Sequence, residues 1–156
     1  MEFYITGFGK GFVFWDEDGF LRRIILPGQR GITQSEVAAE ARQCSGAHPF
    51  LAALEAYLQG RCRNLTFPYR VEGTDFQQRV WRALTEIPYG QTRTYKEMAV
   101  AAGSPGAVRA VGQACGANPL PLLIPCHRVV ATSGLGGFGG GERLKKYLLR
   151  LEGVKI

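Results

Sequence analysis

Short apolar runs bounded by turn residues fill the first part of the chain. From about Gly73 they give way to apolar residues at helical spacing behind well-defined caps. Phe12-Val13-Phe14-Trp15 and Phe20 to Leu26 read as two strands, and Phe3 to Phe8 as a third. Asp16-Glu17-Asp18-Gly19 between the first two carries hairpin chemistry, because Gly19 after an aspartate suits the left-handed turn position. Ser35 is expected to cap a helix running to about Gln43. Pro49 to Leu58 reads as a second helix, with Phe50, Leu51, Leu54 and Leu58 on one face and Gly60 as its stop.

In the second part, Thr74-Asp75-Phe76-Gln77 is a capping box, followed by the apolar face Phe76, Val80, Trp81 and Leu84. Ile87-Pro88-Tyr89-Gly90 ends that helix. Thr94-Tyr95-Lys96-Glu97 is a second capping box and opens a short helix through Ala102, stopped by Gly103. Ser104 and Pro105 supply an N-cap and a first helical residue for the next helix, over Ala107 to Ala114. These two helices read as a helix-turn-helix. A final helix starts near Glu142, with Leu144, Leu148 and Leu151 on one face and a Glu142–Lys146 pair. The pattern divides the 156 residues into an α/β module over 1–70 and a mostly helical module over 71–156, an α+β organisation.

Charge sharpens this division. The net charge is +6, and residues 72–156 hold eleven Lys+Arg against six Asp+Glu, while residues 1–71 hold eight against seven. The basic excess points to a polyanionic partner, or to a solvated basic surface. No apolar run approaches a membrane span of roughly 18 residues, and Met1-Glu2-Phe3 does not open an export signal, so a cytoplasmic protein is expected. The cysteines at 44, 62, 115 and 126 form no CxxC pair and are expected to be reduced. Cys44, His48 and Cys62 match no strong zinc spacing, so neither a metal nor another cofactor is expected.

The candidate chemistry lies in Pro125-Cys126-His127-Arg128, after the apolar run Leu120 to Ile124 and before the glycine-rich loop Gly134 to Gly141. A thiol needs a base or a cation nearby to become a nucleophilic thiolate. The same residues also fit a buried structural cysteine with a histidine beside it. Glu152 stands at a helix C-terminus, where a carboxylate opposes the macrodipole, and a basic or histidine partner would account for it. The Ala107–Ala114 helix carries little bulk beyond Arg109 and Gln113. This suits close packing on a neighbouring element, or entry into a narrow groove with one wedging side chain.

Taken together, these residues resemble the O6-alkylguanine-DNA alkyltransferases, the methylated-DNA–protein-cysteine methyltransferases. The likeness runs through Gly73 to Gln77, Val80-Trp81, Ile87 to Gly90, Thr94-Tyr95, Arg109 to Gly112, Asn118-Pro119, Ile124 to Val129, Gly139-Gly140 and Leu151 to Gly153. It covers nearly all of residues 73–153, whereas residues 1–70 agree with the family's variable N-terminal domain only in size and character. The resemblance implies a ribonuclease-H-like first domain and a winged-helix-like second domain that carries DNA binding and the alkyl acceptor. It implies single-turnover, irreversible transfer of an alkyl group from O6-alkylguanine in duplex DNA to Cys126, with O4-alkylthymine as a second candidate substrate and a monomer as the acting species. His127 would take the thiol proton through a water, oriented by Glu152. Asn118 would brace the active segment, and Tyr95 would donate toward the flipped base. Thr94, Tyr95, Ala107, Arg109, Gly112, Gln113 and Arg128 would face DNA, with Arg109 filling the vacated stack. Pro121, Val129, Phe138 and Gly139 would form the base pocket. Two departures stand out: Phe138 offers no hydroxyl, and the lid is unusually rich in glycine.

Overall fold

The computed structural model describes residues 1–29, 32–41 and 46–156. Its first half holds an antiparallel sheet of order β1-β2-β3, formed by Glu2–Ile5, Gly9–Trp15 and Leu21–Ile25. The hairpin between β2 and β3 turns as expected. Gly19 has φ +82°, and one Asp16 carboxylate oxygen accepts from the backbone N–H groups of both Asp18 and Phe20. Phe3, Ile5, Val13, Leu21 and Ile24 are buried from this sheet into the core.

Helix α1 spans Gln34–Ala41. Its cap is Thr33, two residues earlier than the expected Ser35. The Thr33 hydroxyl accepts from the Glu36 N–H, and the Glu36 carboxylate accepts from the Thr33 N–H, so a full capping box stands where a single cap was expected two residues on. The expected helix end at Gln43, and Cys44 of the rejected zinc triad, lie outside the described residues. Helix α2, Phe50–Leu58, buries Phe50, Leu54 and Tyr57. That i, i+4, i+7 face differs from the expected one by carrying Tyr57 into the core where Leu58 was placed. His48 accepts from the Phe50 N–H with one ring nitrogen and lies 2.8 Å from the Gly19 carbonyl with the other, which ties α2 to the hairpin.

In the second half, α3 (Asp75–Thr85) begins on the complete Thr74–Gln77 capping box and buries Val80, Trp81 and Leu84. Strand β4, Arg93–Thr94, leads directly into α4, Tyr95–Ala101. The Thr94 hydroxyl accepts from the Glu97 N–H, which forms half of the expected second box. Helix α5, Val108–Gly116, starts later than Ser104-Pro105 suggested. Those residues sit in a β-turn closed by the Ala107 N–H on the Ser104 carbonyl, so Ala107 becomes the N-cap and offers no side-chain acceptor. Trp81 donates from Nε1 to the Ala114 carbonyl at 2.8 Å, which fixes the far end of α5 against α3. A 3₁₀ turn, Cys126–Arg128, is followed by β5, Val129–Val130, and α6 covers Glu142–Leu151. Strands β4 and β5 pair in parallel, Arg93 with Val129 and Thr94 with Val130. A single cluster of buried apolar residues runs through both halves of the chain, from Phe3 to Leu148. Among the described residues, no helix is long and apolar enough to cross a membrane.

Candidate active site

The site is built on a constrained stretch of backbone. Leu122 has φ +76°, unusual for a buried leucine and worth roughly 1–3 kcal/mol of strain. Asn118 holds this stretch from both sides. Its Oδ1 accepts from the Leu120 N–H at 2.9 Å, and its Nδ2 donates to the Ile124 carbonyl at 2.8 Å. Pro125 then adopts φ −81°, ψ 67°, with the Cys126 N–H donating back to the Ile124 carbonyl at 2.8 Å. This is an inverse γ-turn, a conformation the proline ring favours, and it turns the chain sharply before the reactive residue. The β4–β5 pairing sets the first residue of α4 beside the segment that follows the turn. In this way Tyr95 and Cys126, far apart in sequence, come to line one cavity.

That cavity has a volume of about 270 Å³. Its walls are Tyr95, Cys115, Cys126 and Phe138, together with Gly112, Gly116, Gly137 and Gly139. Phe138 stands edge-on to His127 with ring centroids 6.4 Å apart. Gly136, just outside the lining, has φ +74°, and a Cβ there would come within 2.7 Å of the Tyr95 hydroxyl, so the lid and Tyr95 require glycine at that position. Pro121 and Val129, expected in the pocket, are buried and stand outside this lining.

Behind the cysteine, His127 Nε2 lies 2.7 Å from Glu152 Oε2, with both side chains fully buried. A carboxylate accepts, so Nε2 carries the proton and Nδ1 holds a free lone pair. Nδ1 is a buried nitrogen without a hydrogen-bond partner. Burial holds the imidazole below its ordinary value, opposed by Glu152 and reinforced by Arg128 and Lys145, so it is neutral and able to take a proton. Glu152 also accepts from the Tyr57 hydroxyl at 2.5 Å, the Gly90 N–H at 3.2 Å, and Arg128 Nε and Nη2 at 2.8 and 3.0 Å. Burial pushes this carboxyl up, but its donors outweigh burial and hold it well below the usual carboxylate range. The Glu152 side chain therefore does have the partner that its unfavourable helix position called for.

Burial pushes the Cys126 thiol up, while Asn118 and the Lys145 cation pull it down. Burial likewise raises Cys115, to about 12, with Cys126 contributing. Lys145 is buried on α6 and donates to the carbonyls of Val129 and Gly137.

Sequence reasoning missed Lys145 and Tyr57. Lys145, Leu148, Leu149 and Glu152 share one helical face at i, i+3, i+4 and i+7, so the position of Glu152 was the available signal for Lys145. Arg128, expected to face DNA, is buried instead. Its guanidinium is committed to Glu152 and to the Ile87 carbonyl at 2.7 Å, which removes it from the surface. Arg109 and Gln113 are exposed on α5, Ala107 and Gly112 are half-buried, and the Thr94 hydroxyl serves as a cap.

Residues 75–154 match the family model described as 6-O-methylguanine DNA methyltransferase, DNA binding domain. The chain belongs to this methyltransferase family. It is 53% identical over 100 residues to the methylated-DNA–protein-cysteine methyltransferase of Methanosarcina barkeri, a match covering 64% of this chain and 63% of that one. Against the protein of the same name from Mycolicibacterium paratuberculosis it is 42% identical over 132 residues, 82% of this chain and 80% of the relative. Among solved methyltransferases of the family, Mycobacterium tuberculosis OGT in complex with DNA superposes with a TM-score of 0.79 at 37% identity, over 97% of this chain and 90% of that one. The methyltransferase fold therefore extends over residues 1–70, where sequence agreement alone was slight.

Proposed function

We propose that this protein repairs DNA directly, by moving the alkyl group from O6 of an alkylated guanine onto Cys126, once per molecule. The observation that carries the proposal is the placement of Cys126 on the wall of a cavity, next to a neutral, buried histidine whose Nδ1 has no partner. A water between Sγ and Nδ1 would complete the path for the proton. As the sulfur–carbon bond forms and the carbon–O6 bond breaks, the bonding pair leaves with guanine. The thiol proton passes to His127, and the imidazolium is stabilised by Glu152. Tyr95, which lines the same cavity, donates toward the departing base. A thioether offers water no activated carbon, so the product is permanent.

The DNA side of the proposal rests on α4 and α5 as a helix-turn-helix of a winged-helix-like domain, residues 71–156. The smooth, small-residue face of α5 enters the minor groove, Arg109 fills the gap left by the flipped base, and Gln113 and Ala107 lie along the backbone. Residues 1–70 form a ribonuclease-H-like domain that supports the relay from behind. Cys126, His127, Glu152, Asn118 and Tyr95 carry the chemistry, and duplex DNA is the partner of a cytoplasmic monomer. The exposed position of Arg109 and the DNA-bound state of the tuberculosis relative support this reading.

The test is the intact mass after incubation with duplex DNA containing O6-methylguanine. A single gain of about 14 Da, one methylene, mapped to Cys126 and absent in Cys126→Ala, is the expected result. Repaired DNA with unmodified protein, or repeated turnover, would overturn the proposal.

A further inference from the structure

Glu152 Oε2 is shared by donors from the two halves of the chain. The Tyr57 hydroxyl reaches it from α2 at 2.5 Å, and His127 Nε2 reaches it from the reactive turn at 2.7 Å. The two donors also approach each other, with the phenol oxygen 3.4 Å from Nε2. Tyr57 is fully buried and stands at the Nε2 edge of the imidazole, whereas the proton from Cys126 arrives at Nδ1. The phenol therefore takes no part in the transfer itself. It is also not needed to orient the carboxylate, because Arg128 grips both oxygens and the Gly90 N–H holds Oε1.

What the phenol does is draw on the oxygen that stabilises the imidazolium. A short O–H···O⁻ bond spreads the carboxylate charge and leaves Oε2 a weaker acceptor for the second donor. We propose that Tyr57 is a positioning residue of the transfer reaction: by sharing Glu152 Oε2 with His127, the phenol of the N-terminal half sets how strongly His127 takes the Cys126 proton.

The groups around the imidazole fit this role. Glu152 favours the imidazolium; Arg128 from the same turn and Lys145 from α6 oppose it, as does burial. Tyr89, from the loop after α3, packs edge-on against Tyr57 with centroids 6.2 Å apart and spends its hydroxyl on the Leu151 carbonyl. Burial and the Glu152 charge keep the Tyr57 phenol protonated, so it remains a donor wherever the protein is folded. With two cations and burial already against it, the imidazole depends on Glu152, and the hold of Tyr57 on that carboxylate acts on the balance directly.

The inference rests on Cys126 being the alkyl acceptor, and two measurements keep it separable from that reading. The first is the titration of His127 followed by NMR of its ring carbons, which needs no substrate. Tyr57→Phe keeps the ring and removes the donor, and should raise the inflection by about half a unit to one unit. The second is the pH profile of Cys126 methylation by duplex O6-methylguanine. In Tyr57→Phe the plateau rate should rise about three- to tenfold, while the acid limb moves to higher pH by the same shift. A merely structural tyrosine would slow the reaction at every pH and leave the inflection in place. 3-Fluorotyrosine incorporated at position 57 alone is nearly isosteric and a stronger donor, and should move both readouts the opposite way; it decides the matter if Tyr57→Phe fails to fold. An unmoved His127 inflection in the folded variant overturns the proposal, whether or not Cys126 is alkylated.

Discussion

Lys145 donates from Nζ to the Val129 carbonyl at 2.6 Å, from the middle of a helix to the strand that leaves the reactive turn. The same ammonium reaches the Gly137 carbonyl at 3.1 Å in the lid. One buried cation thus ties the strand after the reactive turn to the glycine-rich lid and favours the charged form of two thiols.

Replacing it with the similarly shaped Lys145→Met should cost about 1–3 kcal/mol of stability, because two carbonyls lose a buried donor. It should also slow carbamidomethylation of Cys126 by iodoacetamide at neutral pH by about tenfold, since the thiolate loses the Lys145 charge that favours it. Peptide mapping separates Cys126 from Cys62 and Cys115. An unchanged Cys126 rate would show that Lys145 serves the lid alone.

Stability should follow pH with a defined shape. His127 is held below its ordinary 6.5 in the fold, so the unfolded chain binds a proton there that the folded one refuses. Stability is therefore full above 6.5 and falls as pH drops toward the lower folded value. Glu152, lowered from 4.5, adds a second loss below 4.5. On the alkaline side Cys115 holds its proton to about 12 against an ordinary 9.0, so stability falls as pH rises from 9.0. Each group contributes a slope of up to about 1.4 kcal/mol per pH unit within its window. Melting temperatures should be highest between about pH 7 and 9, with a shallower alkaline limb in Cys115→Ala. A Tm that keeps climbing above pH 9 would contradict the burial of that thiol.

Arg109→Ala should separate base extrusion from chemistry. Only duplex DNA needs a side chain to fill the vacated stack, at a cost of roughly a few kcal/mol. The rate on duplex O6-methylguanine should fall by about a hundredfold, while the rate on the free base O6-benzylguanine stays within about threefold. Equal slowing of both would place Arg109 outside the wedge.

The bare lid should tolerate large alkyl groups. A Cβ at Gly112, Gly116 or Gly137 would meet no atom within 4 Å, so this part of the cavity is bounded by backbone with space beyond it. O6-Benzylguanine should react, and Gly137→Leu should slow it by about tenfold relative to O6-methylguanine DNA, the discrimination expected from filling one hydrophobic subsite. Exclusion of the benzyl group by the unaltered protein would count against the open cavity.

The parts legible in the sequence were those with local causes. The Thr74–Gln77 box, the Asp16–Gly19 turn and the Cys126–His127 pair are written within a few residues, and the fold keeps them. The Glu152 partner was legible because a carboxylate at a helix C-terminus needs a reason. Other features depended on tertiary packing. Ser104-Pro105 has the chemistry of a helix start, yet the chain spends it on a turn, and only the docking of α5 on α3 and α4 sets where the helix begins. Arg128 was expected to face DNA on the family resemblance; its burial beside Glu152 is visible only once α6 is in place. Lys145 and Tyr57 drew no reading from the sequence, yet both lie on the helical faces that turn inward.

The two tryptophans stand one in each half. Trp15 packs against His48 in the first, and Trp81 holds the end of α5 in the second. Each is therefore an optical reporter of its own half. In Trp15→Phe and Trp81→Phe, the emission of the remaining indole followed through a denaturant series would show whether the sheet module and the helical module lose structure in one step or in two. Trp81 adds a second use. Its indole N–H is bonded to the backbone of the helix proposed to enter the groove, so its emission should respond when undamaged duplex is added, before any bond to sulfur is made.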